Sequence, residues 1–278
     1  MPRLADGFKG LYLWVRRQEW FRDQFEKCWP RFLCHVLGFA YPEEARRFTA
    51  NTYAADGTYL LEPLELTQFE KEFIDGLMLG DGCITVDARN PQRRTATVRM
   101  TSKHASVAEW VADSLQVLGG GIHQRVETLR YQTGNGEVRK ASCPKAIYYS
   151  RSSPQLLSLA ERWYASDGEN RRKIVPMDLQ LTPTVMHAWY IGDGGASYSR
   201  HGRASLRLST HSFSHEEVRR LCMLIRGAGI GCSIDGVWRS DTQWTLRVPA
   251  SQASAFLRHI GPPPVEELAH RWQLTRPA

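Results

Sequence analysis

Leu66-Thr-Gln-Phe-Glu-Lys-Glu-Phe-Ile-Asp-Gly-Leu-Met-Leu-Gly-Asp-Gly82 and Leu181-Thr-Pro-Thr-Val-Met-His-Ala-Trp-Tyr-Ile-Gly-Asp-Gly194 follow one pattern. Each opens on a helix-start signal. Thr67 and Glu70 are spaced as a capping box, in which each residue's side chain satisfies a backbone N–H of the other. Pro183 follows Thr182 at a first helical position, where its missing N–H costs nothing. Both helices are predicted to stop at Gly-Asp-Gly, because glycine is favoured where a helix ends. Asp81 and Asp193 therefore stand at equivalent helix ends.

Outward from these helices the matching continues. Thr95–Thr101 and Arg203–Ser209 alternate polar and apolar residues, as strands with one buried face do. Their polar faces align: Thr97, Arg99 and Thr101 with Ser205, Arg207 and Ser209. Two further capping boxes, Ser106-Val-Ala-Glu109 and Ser214-His-Glu-Glu217, start helices that run to glycines at 119–121 and at Gly227 and Gly229. A second hairpin follows in each copy, with last strands at Ala146–Arg151 and Gln243–Val248, and then a closing helix from about Pro154 and from about Ser251. This order predicts an α+β fold of two αββαββα copies, at 66–166 and 181–278. A basic linker at 167–180 joins them, and a helical extension at 1–65 precedes them.

Small residues recur four apart in both helices, as Gly76 and Gly80 and as Ala188 and Gly192. That spacing makes a flat strip on one helix face, and two such strips let backbones approach closely. Parallel packing would bring Asp81 beside Asp193. Two neighbouring carboxylates repel each other, and each faces the negative end of its own helix dipole. A divalent cation relieves both problems, and backbone carbonyls at the helix ends offer further oxygen ligands. Mg²⁺ suits such a site and can activate water, orient a phosphate and stabilise a leaving oxygen. A lone Gly-Asp-Gly is ordinary turn text. Its recurrence at one point of a repeated unit is what points to chemistry.

The 278 residues are 42% hydrophobic and 23% charged, the composition of a folded protein with room for true cores. The net charge of +7 fits a polyanionic partner, since lysine and arginine that neutralise phosphates release condensed counterions. No signal peptide and no long apolar run is recognised, so no membrane association is expected, and the location expected is intracellular, in cytoplasm or organelle matrix. Cys28, Cys34, Cys83, Cys143, Cys222 and Cys232 form no C-x-x-C pair, which argues against a zinc knuckle and for free thiols. Within 1–65, Trp14, Trp20, Trp29, Phe21, Phe25 and Phe32 predict helices with a buried aromatic face. Their arginines, Arg16, Arg17, Arg46 and Arg47, suit either an accessory DNA contact or a packed extension.

At Ile74–Gly82 and Met186–Gly194 the sequence resembles the two signatures of the LAGLIDADG homing endonucleases. Lys173-Ile-Val-Pro176 and Leu208-Ser-Thr-His-Ser-Phe-Ser214 resemble text of the single-chain, two-motif, intron-encoded members. The resemblance spans about residues 66–260. It implies a pseudo-two-fold monomer whose signature helices form the interface between the halves. Curved antiparallel sheets would lie in the major groove of a long, imperfectly palindromic DNA target. Asp81 and Asp193 would hold Mg²⁺, with Mn²⁺ or Ca²⁺ able to take the same sites, and the Gly80 and Gly192 carbonyls would be further ligands. Both strands would be cut to leave short 3′ overhangs. The same fold also serves intron-encoded RNA maturases and non-catalytic DNA-binding proteins, which are the alternative readings.

Metal sites in that family are ringed by polar and basic groups. By the repeat alignment Lys103 and His211 hold equivalent places before the capping boxes. Lys103 is a candidate to stabilise phosphate charge, against the plainer reading of a solvated lysine. His211 stands where relatives often carry glutamine, and Arg151 is a further basic candidate. Base reading in a major groove is expected of Thr97 and Arg99 in one half and of Arg203, Ser205, Arg207, Gln243, Thr245 and Arg247 in the other. Phosphate contacts are expected of Arg93 and Arg94 in the first hairpin turn, of Arg139 and Lys140 in the second, and of Arg171, Arg172 and Lys173 in the linker.

Overall fold

A computed structural model describes residues 64–276 apart from 88–93, 133–137, 168–169 and 238–241. The expected extension at 1–65 falls almost wholly outside the described residues, as does Arg93.

The first half runs α1 (Gln68–Leu79), β1 (Gly82–Asp87), β2 (Thr95–Ser102), α2 (Ala105–Ser114), β3 (Gly121–Gln132), β4 (Val138–Tyr149) and α3 (Leu157–Trp163). A short hairpin, β5 (Tyr164–Asp167) with β6 (Asn170–Lys173), comes next. The second half repeats the order as α4 (Pro183–Asp193), β7 (Gly194–Tyr198), β8 (Ala204–Ser209), α5 (His215–Gly227), β9 (Ser233–Gly236), β10 (Trp244–Val248) and α6 (Ala250–Ile260). A 3₁₀ segment, Glu266–Trp272, closes it. Each half carries a four-stranded antiparallel sheet, ordered β1-β2-β4-β3 in one and β7-β8-β10-β9 in the other. The strand order is the same in both.

The start signals act at three of the four helices. Thr67 Oγ1 accepts from the Glu70 N–H at 3.3 Å while the Glu70 carboxylate accepts from the Thr67 N–H at 2.7 Å. The pair Ser214 and Glu217 does the same at 3.3 and 2.7 Å. Thr182 Oγ1 accepts from the Val185 N–H at 3.3 Å. The expected box at Ser106 and Glu109 does not form. α2 already begins at Ala105, with His104 at the cap position and no side-chain cap bond. Ser106 thus lies inside the first turn, past the point where a cap acts. The last strand of the first sheet is also longer than alternation alone indicates, because β4 starts at Val138 and pairs with β3 over its whole length. The linker is part of the fold too, since β5 and β6 occupy most of its first half.

One hydrophobic core runs through both halves. Ile74, Met78, Val98 and Trp163 of the first join Met186, Trp189, Leu206 and Phe256 of the second. Side chains of this size, fully buried, are worth roughly 1.5–3 kcal/mol each. A run of ring contacts, Phe73 to Trp110 to His187 to Trp272 to Tyr190 to Phe256, crosses between the halves. Asp75, buried inside α1, accepts from Trp163 Nε1 at 2.8 Å and pairs with Arg162, which also binds Asp178. This carboxylate is therefore a structural anchor. Cys83, Cys143, Cys222 and Cys232 are free thiols. Among the described residues no helix is long and apolar enough to cross a membrane.

Candidate active site

α1 and α4 pack along their small-residue strips, and in parallel. A Cβ built on Gly76 would lie 2.4 Å from the Val185 carbonyl oxygen and 2.6 Å from the Ala188 Cβ. One turn later, a Cβ on Gly80 would meet the Gly192 Cα at 3.3 Å, and one on Gly192 would meet the Asp81 backbone nitrogen at 3.0 Å. Contacts advance along both helices in the same direction, so the C-terminal ends coincide. Asp81 follows Gly80, and Asp193 ends α4. The two aspartates sit side by side.

Their electrostatics are those of a crowded like-charge pair. Burial pushes Asp193 up to about 6, the neighbouring Asp81 charge pushes in the same direction, and Lys173 and Arg271 pull it back. Asp81 keeps an exposed edge, yet the crowding around its carboxylate is the largest influence and raises it, again against Lys173 and Arg271. The two cations are set by the tails of the two halves. Lys173 Nζ, at the end of β6, donates to the carbonyls of Gly80 and Gly82 at 3.1 and 2.7 Å. Arg271, in the closing 3₁₀ segment, donates through one guanidinium nitrogen to the carbonyls of Tyr190 and Ile191 at 3.3 and 2.7 Å. Each tail thus places a positive charge at a helix C-terminus, where the backbone carbonyls carry unsatisfied negative ends.

A pocket opens beside this pair, lined by Asp81, Lys103, His104, Lys145, Gly192 and Arg271 among others. Lys103 is exposed at the end of β2, and Lys145 on β4 pairs with Glu127 of β3. Burial, then the Lys103 charge, lowers the His104 pKa. Among the described residues no three His, Cys, Asp or Glu side chains gather as a metal cluster. A cation held here would take two carboxylates and fill its shell with carbonyl, water or phosphate oxygens. Hard oxygen ligands of that kind suit Mg²⁺. The Gly80 carbonyl expected among them accepts from Lys173, and Arg271 takes the carbonyls just upstream of Gly192.

The other candidates are distributed as follows. Thr97, Arg99, Ser205 and Arg207 lie on the outer faces of their sheets, with both arginines exposed. Arg203 is exposed just before β8, and Arg94 just before β2. Arg247 pairs with Arg207 in register and is bridged to Asp235 at 2.9 Å, and Gln243 is half-buried at the start of β10. Thr245 shares that face but is buried, with His211 Nε2 3.4 Å from its hydroxyl. Arg151 does not line the pocket; it packs beside Gly119. The linker arginines stay exposed and also bond within the fold. Arg171 lies over the Tyr164 ring and donates to the Ile84 and Ala160 carbonyls, and Arg172 pairs with Glu217 at 2.8 Å. Sequence reasoning missed Arg271, Lys145 and His104. No text in the second tail mirrors that around Lys173, so nothing in the sequence marked Arg271, and the pocket positions of the other two follow from the β2–β4 pairing.

The model of the LAGLIDADG DNA endonuclease family matches residues 71–256. The chain is 31% identical over 148 residues to an uncharacterised protein of Methanocaldococcus jannaschii, which covers 53% of this chain and 51% of that one. It therefore spans about half the length of that relative. It is 24% identical over 207 residues to DNA endonuclease I-ChuI of Chlamydomonas applanata, over 72% of this chain and 92% of that one. In fold it is similar to the homing endonuclease I-WcaI, solved bound to its DNA recognition sequence, with a TM-score of 0.60 at 18% identity over 78% of this chain and 90% of that one.

Proposed function

The chain belongs to the LAGLIDADG DNA endonuclease family, and we propose that it is a monomeric, site-specific endonuclease that cuts both strands of a long DNA target with Mg²⁺ at Asp81 and Asp193. The observation that carries this reading is the meeting of the two aspartates at parallel helix ends between two sheets of one topology. A pair of carboxylates crowded enough to hold Asp193 near 6 is unfavourable in isolation. Such an arrangement is expected where a bound cation offsets it. I-ChuI is named a DNA endonuclease and I-WcaI a homing endonuclease with a DNA recognition sequence, and the same class of activity is proposed here.

Bound Mg²⁺ would lower the pKa of its water and neutralise charge on the phosphate. The chain's own groups do the rest. Asp81 and Asp193 would hold the cation, and the charges of Lys173 and Arg271 offset the repulsion between the pair. Lys103 and Lys145, which line the pocket, would face the phosphate from the first half. The outer sheet faces, led by Arg99 and Arg207, present donors to base edges, where arginine can bind guanine with two hydrogen bonds. Cleavage would leave short 3′ overhangs.

The test starts by selecting bound duplexes from a randomised pool in Ca²⁺ and then adding Mg²⁺. Linearisation of a plasmid carrying the selected site is expected. Asp81→Asn or Asp193→Asn should abolish double-strand cutting while binding persists. Undiminished cutting by the double variant would overturn the metal assignment. Selective Mg²⁺-dependent binding to a structured intron RNA, with no DNA cut, would replace the endonuclease by a splicing cofactor.

A further inference from the structure

The two sheets share a strand order but not a reach. Thr101 pairs with Ile147 in the first, and its counterpart Ser209 pairs with Thr245 in the second. On that alignment the β9–β10 ribbon closes at Gly236 and Trp244, level with Gln124 and Ala146, and residues 237–243 join its strands. In the first half residues 125–145 stand in their place. There the pairing runs on from Arg125 with Lys145 to Gln132 with Val138. At about 3.4 Å per residue this adds roughly 24 Å of ribbon.

The direction of the extension sets what it can touch. β1 starts at Gly82, beside Asp81, and β2 returns to end at Ser102, which lines the pocket. The added ribbon carries on past that end of β2. Cys143, Pro144 and Lys145 line the pocket together with Gly192 and Arg271 of the second half. Outward from the pocket the strands leave the core. Ala146 and Tyr148 are buried, whereas Val126 is 68% and Val138 64% exposed. Arg125 and Val126 are neighbours on β3, so they lie on opposite faces, and both are exposed. A two-stranded ribbon bare on both faces is marginally stable in water, so its length calls for a partner laid against it. Its charge names the partner's sign. Lys140 is exposed on β4, and Arg125 and Lys145 share the one carboxylate of Glu127.

We infer that the β3–β4 ribbon crosses the base pairs between the two cut phosphates and sets Arg125 and Lys140 on the DNA backbone there, so that the first half alone grips the centre of the target. The inference rests on the endonuclease reading above and adds where one half holds the duplex. Cuts that leave short 3′ overhangs face each other across the minor groove. That groove is about 6 Å wide, too narrow to admit a two-stranded ribbon, whereas the major groove can. The ribbon therefore bridges the minor groove from phosphate to phosphate and reads no base edges in it. The stretch between such cuts is a few base pairs at about 3.4 Å each, within the ribbon's reach. The second ribbon, closed at Gly236 and Trp244, stops short of it.

Mapping the cuts in Mg²⁺ on the selected duplex defines its centre. The same duplex is then remade with one neutral methylphosphonate at a time, and binding of the full chain is measured in Ca²⁺. Replacing a phosphate between the cuts should weaken wild-type binding about tenfold, as loss of one charge-assisted hydrogen bond does. Arg125→Gln and Lys140→Gln together should weaken binding to the unmodified duplex and lower the slope of log affinity against log salt by about two, one for each phosphate contact removed. That double variant should then be indifferent to the central replacements. The wild-type series stands by itself should the double variant prove unstable by thermal melting. Central phosphates that the wild type does not feel, or that the double variant feels equally, would overturn the inference alone. Absence of any cut on either strand would instead sink the endonuclease reading.

Discussion

Asp193 is held in a form it does not favour, and that has a measurable consequence in the metal-free protein. Burial and the Asp81 charge raise its pKa from 3.8 to about 6, against the pull of Lys173 and Arg271. For an acid raised in the folded state, the folded chain binds more protons than the unfolded one between those values. Stability therefore falls as pH climbs from about 4 through 6 and is constant above. Asp193→Asn is expected to raise unfolding free energy in EDTA at pH 8 by about 2 kcal/mol, less than the shift alone implies because the site is only half-buried. The gain should vanish near pH 4, and urea unfolding at both pH values checks it. An unchanged or lower stability at pH 8 would remove the argument that the pair is arranged for a cation. Both aspartates were legible in the sequence, because they recur at one point of a repeated unit. Arg271 was not. Its tail shares no text with that of Lys173, and only folding shows that both reach the same helix ends.

At the scale of elements, the seam between α1 and α4 depends on the absence of side chains at two places. Gly76 faces backbone, the Val185 carbonyl, as well as the Ala188 methyl. Backbone cannot swing aside as a flexible side chain can, so Gly76→Val forces the helices apart. Overpacking of this kind costs about 1–3 kcal/mol. Because the seam positions the aspartates, Mg²⁺-dependent thermal stabilisation should fall with it, which calorimetry with and without the ion would register. Unaltered stability in Gly76→Val would contradict the close seam. The start of α5 makes a second case. Burial alone would raise the Glu217 carboxyl, but bonds from Ser214, Arg172 and the Val175 N–H hold it below its usual 4.5. Its contribution is present above that value and lost as pH falls through the lower, folded pKa. Ser214→Ala should cost about 1 kcal/mol by loss of the cap, and Glu217→Ala more, since two partners outside the helix go with it. The identical spacing at Ser106 gives no such cap. Local text cannot distinguish the two, because helix entry at Ala105 is decided by how α2 packs on β2 and β4.

For the molecule as a whole, the repeat suggests two independent units, and the packing makes one. The tail of the first half reaches the second, where Arg172 and the Val175 N–H meet Glu217 on α5. The tail of the second half reaches the first, where Leu268 and Arg271 line the pocket with Met100 and His104. Between these crossed tails the core is continuous through α1 and α4. This reciprocity was only half legible. The repeat fixes which segments correspond, but nothing in either copy says that each tail will reach across to the other half. The physical consequence is cooperativity, since neither half can open without exposing Ile74, Met78, Met186 and Trp189, none of which is more than 0% exposed. Amide hydrogen exchange should therefore give β2 and β8 the same opening free energy, and Gly76→Val should lower both by equal amounts. Two distinct opening energies, with the variant affecting only β2, would mean that the halves are separately stable domains and that the aspartates meet only when DNA draws them together.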